Sequence, residues 1–155
     1  MDTNGNTKKL LIKDLSSRLP FGVKGQCELD ASYDTSFDTV FQTHKFNAEV
    51  YGLKEDSLFV YPLIEDSDEQ TFAEEEVADG IDILDFKPYL FPLSSMTDAE
   101  KEKYCQLQQR VIYNSKGPVN EDVTKYINWC YKKHFDINNL IPKGLAIDAT
   151  GLNIY

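Results

Sequence analysis

Long hydrophobic runs are missing from this 155-residue chain, and no stretch approaches the roughly 20 apolar residues that a membrane helix requires. The opening MDTNGNTKKLL carries no apolar h-region of the kind a secretory signal needs. The expectation is a soluble protein in the cytoplasm, with no membrane partner. Cysteine is scarce too: three residues, an odd number, close no disulfide framework and read as thiols in a reducing compartment. Eight glycines and six prolines are too few for a collagen-like or low-complexity chain, and 41% hydrophobic content is too high for a disordered one. What remains is a single domain over residues 1–155, long enough to bury roughly two-thirds of its unfolded surface.

Positive charge is missing from one region in particular. The net charge is −10, yet residues 1–50 carry 6 basic against 7 acidic side chains and residues 97–155 carry 8 against 7. Residues 51–96 carry 2 against 12, so the excess sits in the middle of the chain. Residues 65–85 hold ten carboxylates and no Lys or Arg. A grip on phosphate needs clustered cations, so direct nucleic-acid binding is not expected. A field of this sign attracts basic protein surfaces instead.

Residues 1–6 are polar and read as a frayed end. Leu11, Ile12, Leu15 and Leu19 then recur at helical spacing, with Thr7 as N-cap and Pro20 and Gly22 as stop signals, which predicts a helix over residues 8–19. From Val23 the period becomes two: Val23, Gly25, Cys27 and Leu29 share one face of a half-buried strand, with Lys24, Gln26 and Glu28 on the other. FDTVFQTH (37–44), KFNAEVYGL (45–53) and SLFVYPLI (57–64) read as short antiparallel strands, with residues 54–56 as a hairpin loop. Pro62 cannot donate to a ladder, so the last of these lies at an edge or ends in a bulge. Residues 65–79 read as a long acidic loop, and IDILDF (81–86) as a further strand. Five such strands suit a small curled antiparallel sheet of the SH3-like barrel kind.

The last third is helical. Thr97 and Glu100 form a capping box ahead of a helix whose Tyr104, Leu107 and Val111 share a face to about Tyr113. SKGP (115–118) breaks it, and Asn120, Glu121 and Asp122 open a second helix with Val123, Ile127, Cys130, Tyr131 and His134 on its core-facing stripe. The prolines of KPYLFPLSSM impose an extended strap that covers the core, and Pro142 and Gly144 turn the tail so that Leu145 and Ile147 pack back. No linker separates two domains. The fold class is therefore α+β: an N-terminal helix, a small curled antiparallel sheet and two C-terminal helices.

The strings RLPFGVKG (18–25), KPYLFPLSSMT (87–97) and HFDINNLIPKGLAID (134–148) resemble an uncharacterised family of small proteins from Bacteroidales bacteria, their phages and prophages. Phe91 stands where that family carries arginine, and Ile137, Asn138 and Asn139 replace its Tyr-Arg-Gly. The resemblance covers about half the chain and implies a phage or mobile-element protein acting inside a bacterial cell, with no implied activity.

Several constellations bear on function. Cys130 and His134, four apart, share a helix face in the manner of a nucleophile and its base, but they also lie on the apolar stripe, where a buried Cys and a core His are the simpler reading. Cys27, Cys105, Cys130, His44 and His134 contain no CxxC pair, so no zinc site is expected. A calcium loop starting at Asp66 would need Gly at position 71 and Glu at 77, where Thr71 and Val77 stand. GxGxxG, Walker, GxSxG and HExxH signatures are absent. No cofactor, metal or catalytic residue is assigned.

Two functional readings follow from what is present. The first is a non-enzymatic interaction module whose acidic segment, through Glu65, Asp66, Asp68, Glu69, Glu74, Glu75, Glu76 and Asp79, docks on a basic host protein. The second is a small-ligand binder, for a nucleotide or metabolite, with Phe41, Tyr51, Phe59 and Tyr61 lining a pocket. An enzyme using Cys130 and His134 stands behind both.

Overall fold

The computed structural model describes residues 3–34, 36–113 and 121–155. They form two compact units, one built from the chain up to Tyr89 together with Ile154–Tyr155, the other from Leu90–Asn153.

In the first unit, helix α1 (Thr3–Arg18) begins at Thr3 rather than Lys8, so residues 3–6 are helical and Thr7 is not the cap. Asn and Gly disfavour a helix interior by at most about 1 kcal/mol each, a cost that tertiary anchoring overrides. Here the anchors are Leu11 and Leu15, both buried, and the Lys8 ammonium, which bonds Asp56 (2.7 Å) and Asp82 (2.5 Å). Asp14 and Arg18 occupy the same buried stripe. Their fork-to-carboxylate bonds (Nε to Oδ2 2.6 Å, Nη2 to Oδ1 3.0 Å) let two charged side chains lie where nothing but apolar ones are ordinarily found. A 3-10 turn, Leu19–Phe21, and Gly22 at φ +74° then release the chain into the sheet.

Strands β1 (Val23–Asp34) and β2 (Thr39–Lys54) pair antiparallel from Val23↔Val50 to Asp34↔Thr39. Residues 39–54 are thus one strand, where the sequence predicted two. His44 and Lys45 supply no turn residue, and β1 pairs with β2 continuously from Thr39 to Val50, across that junction. Cross-strand bonds Lys45–Glu28 (3.2 Å) and Thr43–Asp30 (2.7 Å) hold the register. Strand β3 (Ser57–Pro62) returns through a turn at Glu55 and Asp56, with Glu55 at φ +56°, and a bulge between Val50 and Gly52 adjusts its pairing to β2. Val23, Cys27, Ala48, Val50, Leu58 and Val60 are buried, matching the expected alternation.

The acidic stretch is not a loop. Residues Ser67–Val77 form helix α2, capped by Asp66, whose carboxylate accepts from the backbone N–H of Asp68 (3.0 Å) and Glu69 (3.1 Å). Asp68 and Glu69 in the first turn complement the helix dipole, and Ala73 and Val77, four apart, are buried. The carboxylates hid these signals because they dominate the composition. IDILDF is likewise divided: β4 (Ile81–Asp82) pairs with the start of β3, and a 3-10 turn, Ile83–Asp85, interposes before β5 (Phe86–Leu90). Asp82 caps that turn by accepting from Leu84 N–H (2.9 Å), so the strand cannot continue through it.

The strap residues Pro88 and Tyr89 belong to β5, which pairs with β1 at Gly25–Cys27. A Cβ on Gly25 would lie 2.4 Å from both the Lys87 carbonyl oxygen and Phe86 Cζ, so only glycine admits this approach. The strand order is β4-β3-β2-β1-β5 in a curled, half-barrel sheet. The Tyr155 hydroxyl bonds to it, accepting from Lys24 N–H (3.2 Å) and donating to the Tyr89 carbonyl (3.0 Å).

In the second unit, helix α3 (Asp98–Tyr113) starts with the expected capping box, Glu100 N–H to Thr97 Oγ1 (3.3 Å) and Thr97 N–H to Glu100 Oε2 (3.0 Å). Desolvation pushes the Glu100 carboxyl up, but the Thr97 N–H and Lys133 (3.2 Å) outweigh it and hold it below its ordinary range. Helix α4 (Glu121–Lys132) packs on α3 through Tyr104, Tyr126 and Trp129, with Tyr126 donating to the Tyr104 hydroxyl (2.9 Å). The expected break at 115–118 and the cap at Asn120 lie outside the described residues. The tail then turns on Asp136, whose buried carboxylate accepts from Leu140 N–H (2.7 Å) and Ile141 N–H (2.9 Å). Strand β6 (Ile147–Asp148) leads to Ala149, whose N–H donates to Leu90 (2.8 Å) at the end of β5.

Candidate functional site

Helix α2 and strand β2 enclose a cleft of about 540 Å³. Its floor comes from the inward face of the sheet, Leu29, His44 and Phe46, and one wall from a single stripe of α2. Asp68, Phe72 and Glu76 follow one another at four-residue steps, as do Glu69 and Ala73, so all five reach the same side. Phe72 packs on His44 with ring centroids 5.3 Å apart. Leu63 and Ile64 form the corner where β3 gives way to α2.

Gln70 makes that corner. Its side chain accepts from Ile64 N–H (3.1 Å) and donates to the Pro62 carbonyl (3.0 Å), taking up backbone groups that a longer β3 would have used. The last bond from this stretch to β2 is Leu63 N–H to Asn47 O (2.7 Å). Among the described residues no strand pairs with β2 on that side before Asn47.

Three carboxylates, Asp68, Glu69 and Glu76, therefore line the cleft against one cation, Lys45, which is itself paired with Glu28. Of the other acidic residues singled out in the sequence, Asp66 is the helix cap, and Glu74 accepts from Gln70 (2.7 Å) beside a smaller recess. Glu65, Glu75 and Asp79 line neither space. The acidic segment is thus sorted by helical periodicity, which a loop would not have imposed.

The four aromatic residues expected to line a pocket separate. Tyr51 stacks on Tyr61 (4.3 Å) and lies near Phe59 (6.1 Å), and the two tyrosines border a recess of about 270 Å³ with Val60, Pro62 and Val77. Phe41 is 80% exposed and sits ten residues before Tyr51 on the same strand, on the order of 30 Å away at about 3.3 Å per residue. The four do not form one pocket. The residues the sequence reading missed are His44, Phe46, Phe72 and Gln70; the i, i+4 spacing of Asp68, Phe72 and Glu76 was the available signal.

Cys130 and His134 are both buried, but α4 ends at Lys132 and His134 lies beyond it at φ +58°. The helical i, i+4 relation does not hold there. His134 N–H donates to Tyr131 O (3.0 Å) and Phe135 N–H to Cys130 O (3.0 Å), the paired bonds of a Schellman end, with Phe135 packed on Trp129 (5.7 Å). Among the described residues no group of three or more His, Cys, Asp or Glu side chains is placed to hold a metal ion. Among them, too, no helix is long and apolar enough to cross a membrane.

A second acidic recess, about 210 Å³, lies between Glu28, Asp30, Asp85 and Lys87. Partial desolvation and then the neighbouring carboxylates of Asp82, Asp30 and Glu28 raise the Asp85 carboxyl above its ordinary range. Burial, with Asp85 nearby, pushes the Cys27 thiol up to about 12.

No protein-family model matches the chain, and no curated protein or solved structure does so either.

Proposed function

We propose that this protein is a non-enzymatic interaction module of a phage or other mobile element, which binds a basic protein of the bacterial cell through the cleft between α2 and β2. The observation that carries this reading is the convergence of Asp68, Glu69 and Glu76 on one cleft wall above an apolar floor. A lysine or arginine entering there meets carboxylates on one side and covers its aliphatic stem with Leu29, Phe46 and Phe72. Each close charge pair at such a partly screened site is worth about 1–4 kcal/mol of Coulomb attraction, before desolvation is deducted. The same field repels phosphate backbones, which argues against nucleic acid as the direct partner.

The test is capture from bacterial lysate by the wild type and by the E69Q/E76Q variant, which keeps side-chain shape and removes charge. The expected outcome is a basic partner whose binding, repeated with purified components, weakens with salt and falls in the variant. Partner binding that ignores both salt and the substitutions would overturn the reading. The cleft volume also falls in the range of small-molecule sites, roughly 300–1,000 Å³, which favours a cationic small ligand as the second reading. A ligand-dependent rise in melting temperature across a panel of amines would support that alternative.

A further inference from the structure

Among the described residues, the cleft is bounded on one side by an edge of β2 with no partner strand. Asn47 turns its carbonyl away from β1 to accept from Leu63 N–H. Backbone groups alternate in direction along an antiparallel strand, so Lys45, Thr43 and Phe41 turn their N–H and C=O groups to that same side. Among the described residues β3 pairs with β2 only from Ala48 to Lys54, and the chain then leaves the sheet at the Gln70-bonded corner. Among the described residues no strand fills the slot that a longer β3 would have taken. Lys45 and Asn47 sit on its edge, and Asp68, Glu69 and Phe72 of α2 stand across the cleft.

We propose that an extended segment of a basic partner protein adds to β2 at Phe41–Lys45 as a new strand, in the slot between that edge and α2, and is selected by lysine or arginine at alternate positions. The inference rests on the acidic-cleft reading and deepens it. An open edge between a strand and a helix supplies main-chain bonds that are indifferent to sequence, and the side chains around it supply selectivity. Because side chains alternate across a strand, every second residue of the added segment points toward α2 and its three carboxylates. The intervening residues point outward. A run of consecutive basic residues would waste half its charge on the outer face. The pattern expected of the partner is therefore basic and neutral in alternation, in an extended segment, rather than a basic helix or a general basic surface.

The test uses fluorescently labelled peptides and fluorescence anisotropy. The probe is acetyl-Thr-Lys-Thr-Lys-Thr-Lys-Thr-amide. Its comparators are the same composition with the lysines contiguous, the glutamate counterpart, and a form N-methylated at the residues whose amides face β2. The proposal expects the alternating peptide to bind about tenfold more tightly than the contiguous one, and N-methylation to remove about that much again, the equivalent of one or two lost net hydrogen bonds. On the protein side, Thr43→Pro deletes an N–H that faces the slot at a position where an edge strand tolerates proline, and it should produce a comparable loss. The peptide series keeps the test decisive if that variant fails to fold. If the alternating and contiguous lysine peptides bind equally, and N-methylation changes nothing, strand addition is wrong while the acidic cleft stands. If lysine peptides bind no better than the glutamate peptide, both readings fall.

Discussion

The buried pair of Asp14 and Arg18 offers the sharpest test of how this fold is held together. Both side chains are 0% exposed, four residues apart on α1, and joined by two bonds of 2.6 and 3.0 Å. Asp14→Ala leaves a guanidinium buried without its carboxylate. The cost of stranding one member of such a pair is about 3–5 kcal/mol, because the remaining charge has lost both water and its counter-ion. Replacing both, as D14L/R18M, removes the stranded charge and fills the space, so this double variant should recover most of the loss and fall within about 2 kcal/mol of wild type. At about 2–4 °C per kcal/mol for a chain of this size, Asp14→Ala should lower the melting temperature by roughly 6–20 °C. Urea denaturation followed by far-UV circular dichroism gives the free energies, and the single Asp14→Leu and Arg18→Met variants complete the cycle. An Asp14→Ala cost below about 1 kcal/mol, or a double variant as unstable as the worse single one, would refute the account of a desolvated, mutually dependent pair.

Three further outcomes follow from the packing and electrostatics. Gly25→Ala should destabilise by about 1–3 kcal/mol, since the new Cβ meets a backbone oxygen and an aromatic ring at 2.4 Å; an unchanged denaturation midpoint would show that β5 can move aside. Thiol titration of the native protein should detect Cys105, which is exposed, and leave Cys27 and Cys130 unreacted until denaturant is added. The Asp85 carboxyl is raised in the folded state, so the folded protein binds more protons there than the unfolded chain. Its contribution to stability is most favourable below the ordinary carboxyl value of 3.8 and is lost as pH rises through the raised value. Asp85→Asn should therefore raise the melting temperature at pH 7 and leave it little changed at low pH, and the opposite ordering would contradict the sign.

Much of the architecture was legible from local chemistry. The Thr97 and Glu100 capping box and the alternation of Val23, Cys27 and their partners stand in the structure, and the helix expected to run to Leu19 before Pro20 ends one residue earlier, at Arg18. What misled was composition. Ten carboxylates in 21 residues suggested a solvated loop, while the signals of helix α2 were a cap at Asp66 and two small apolar residues, Ala73 and Val77. The length of β2 was hidden for a different reason: no residue within 39–54 says whether a strand should stop, because the answer lies in how far β1 extends beside it.

Periodicity, capping and charge are properties of neighbouring residues, and by themselves they determined the α+β class, the helical last third and the concentration of negative charge in the middle of the chain. Tertiary structure decided the rest. The cleft joins the α2 stripe to Leu29, His44 and Phe46 of the sheet, a link that no spacing rule supplies, and Asp14 with Arg18 became a core element in which each neutralises the other. Among the described residues β2 has no partner strand on that side before Asn47, because Gln70 takes up the backbone groups of Pro62 and Ile64 and turns the chain away. Each of these depends on the desolvation of groups far apart in sequence, a free energy that exists only once the chain has brought them together.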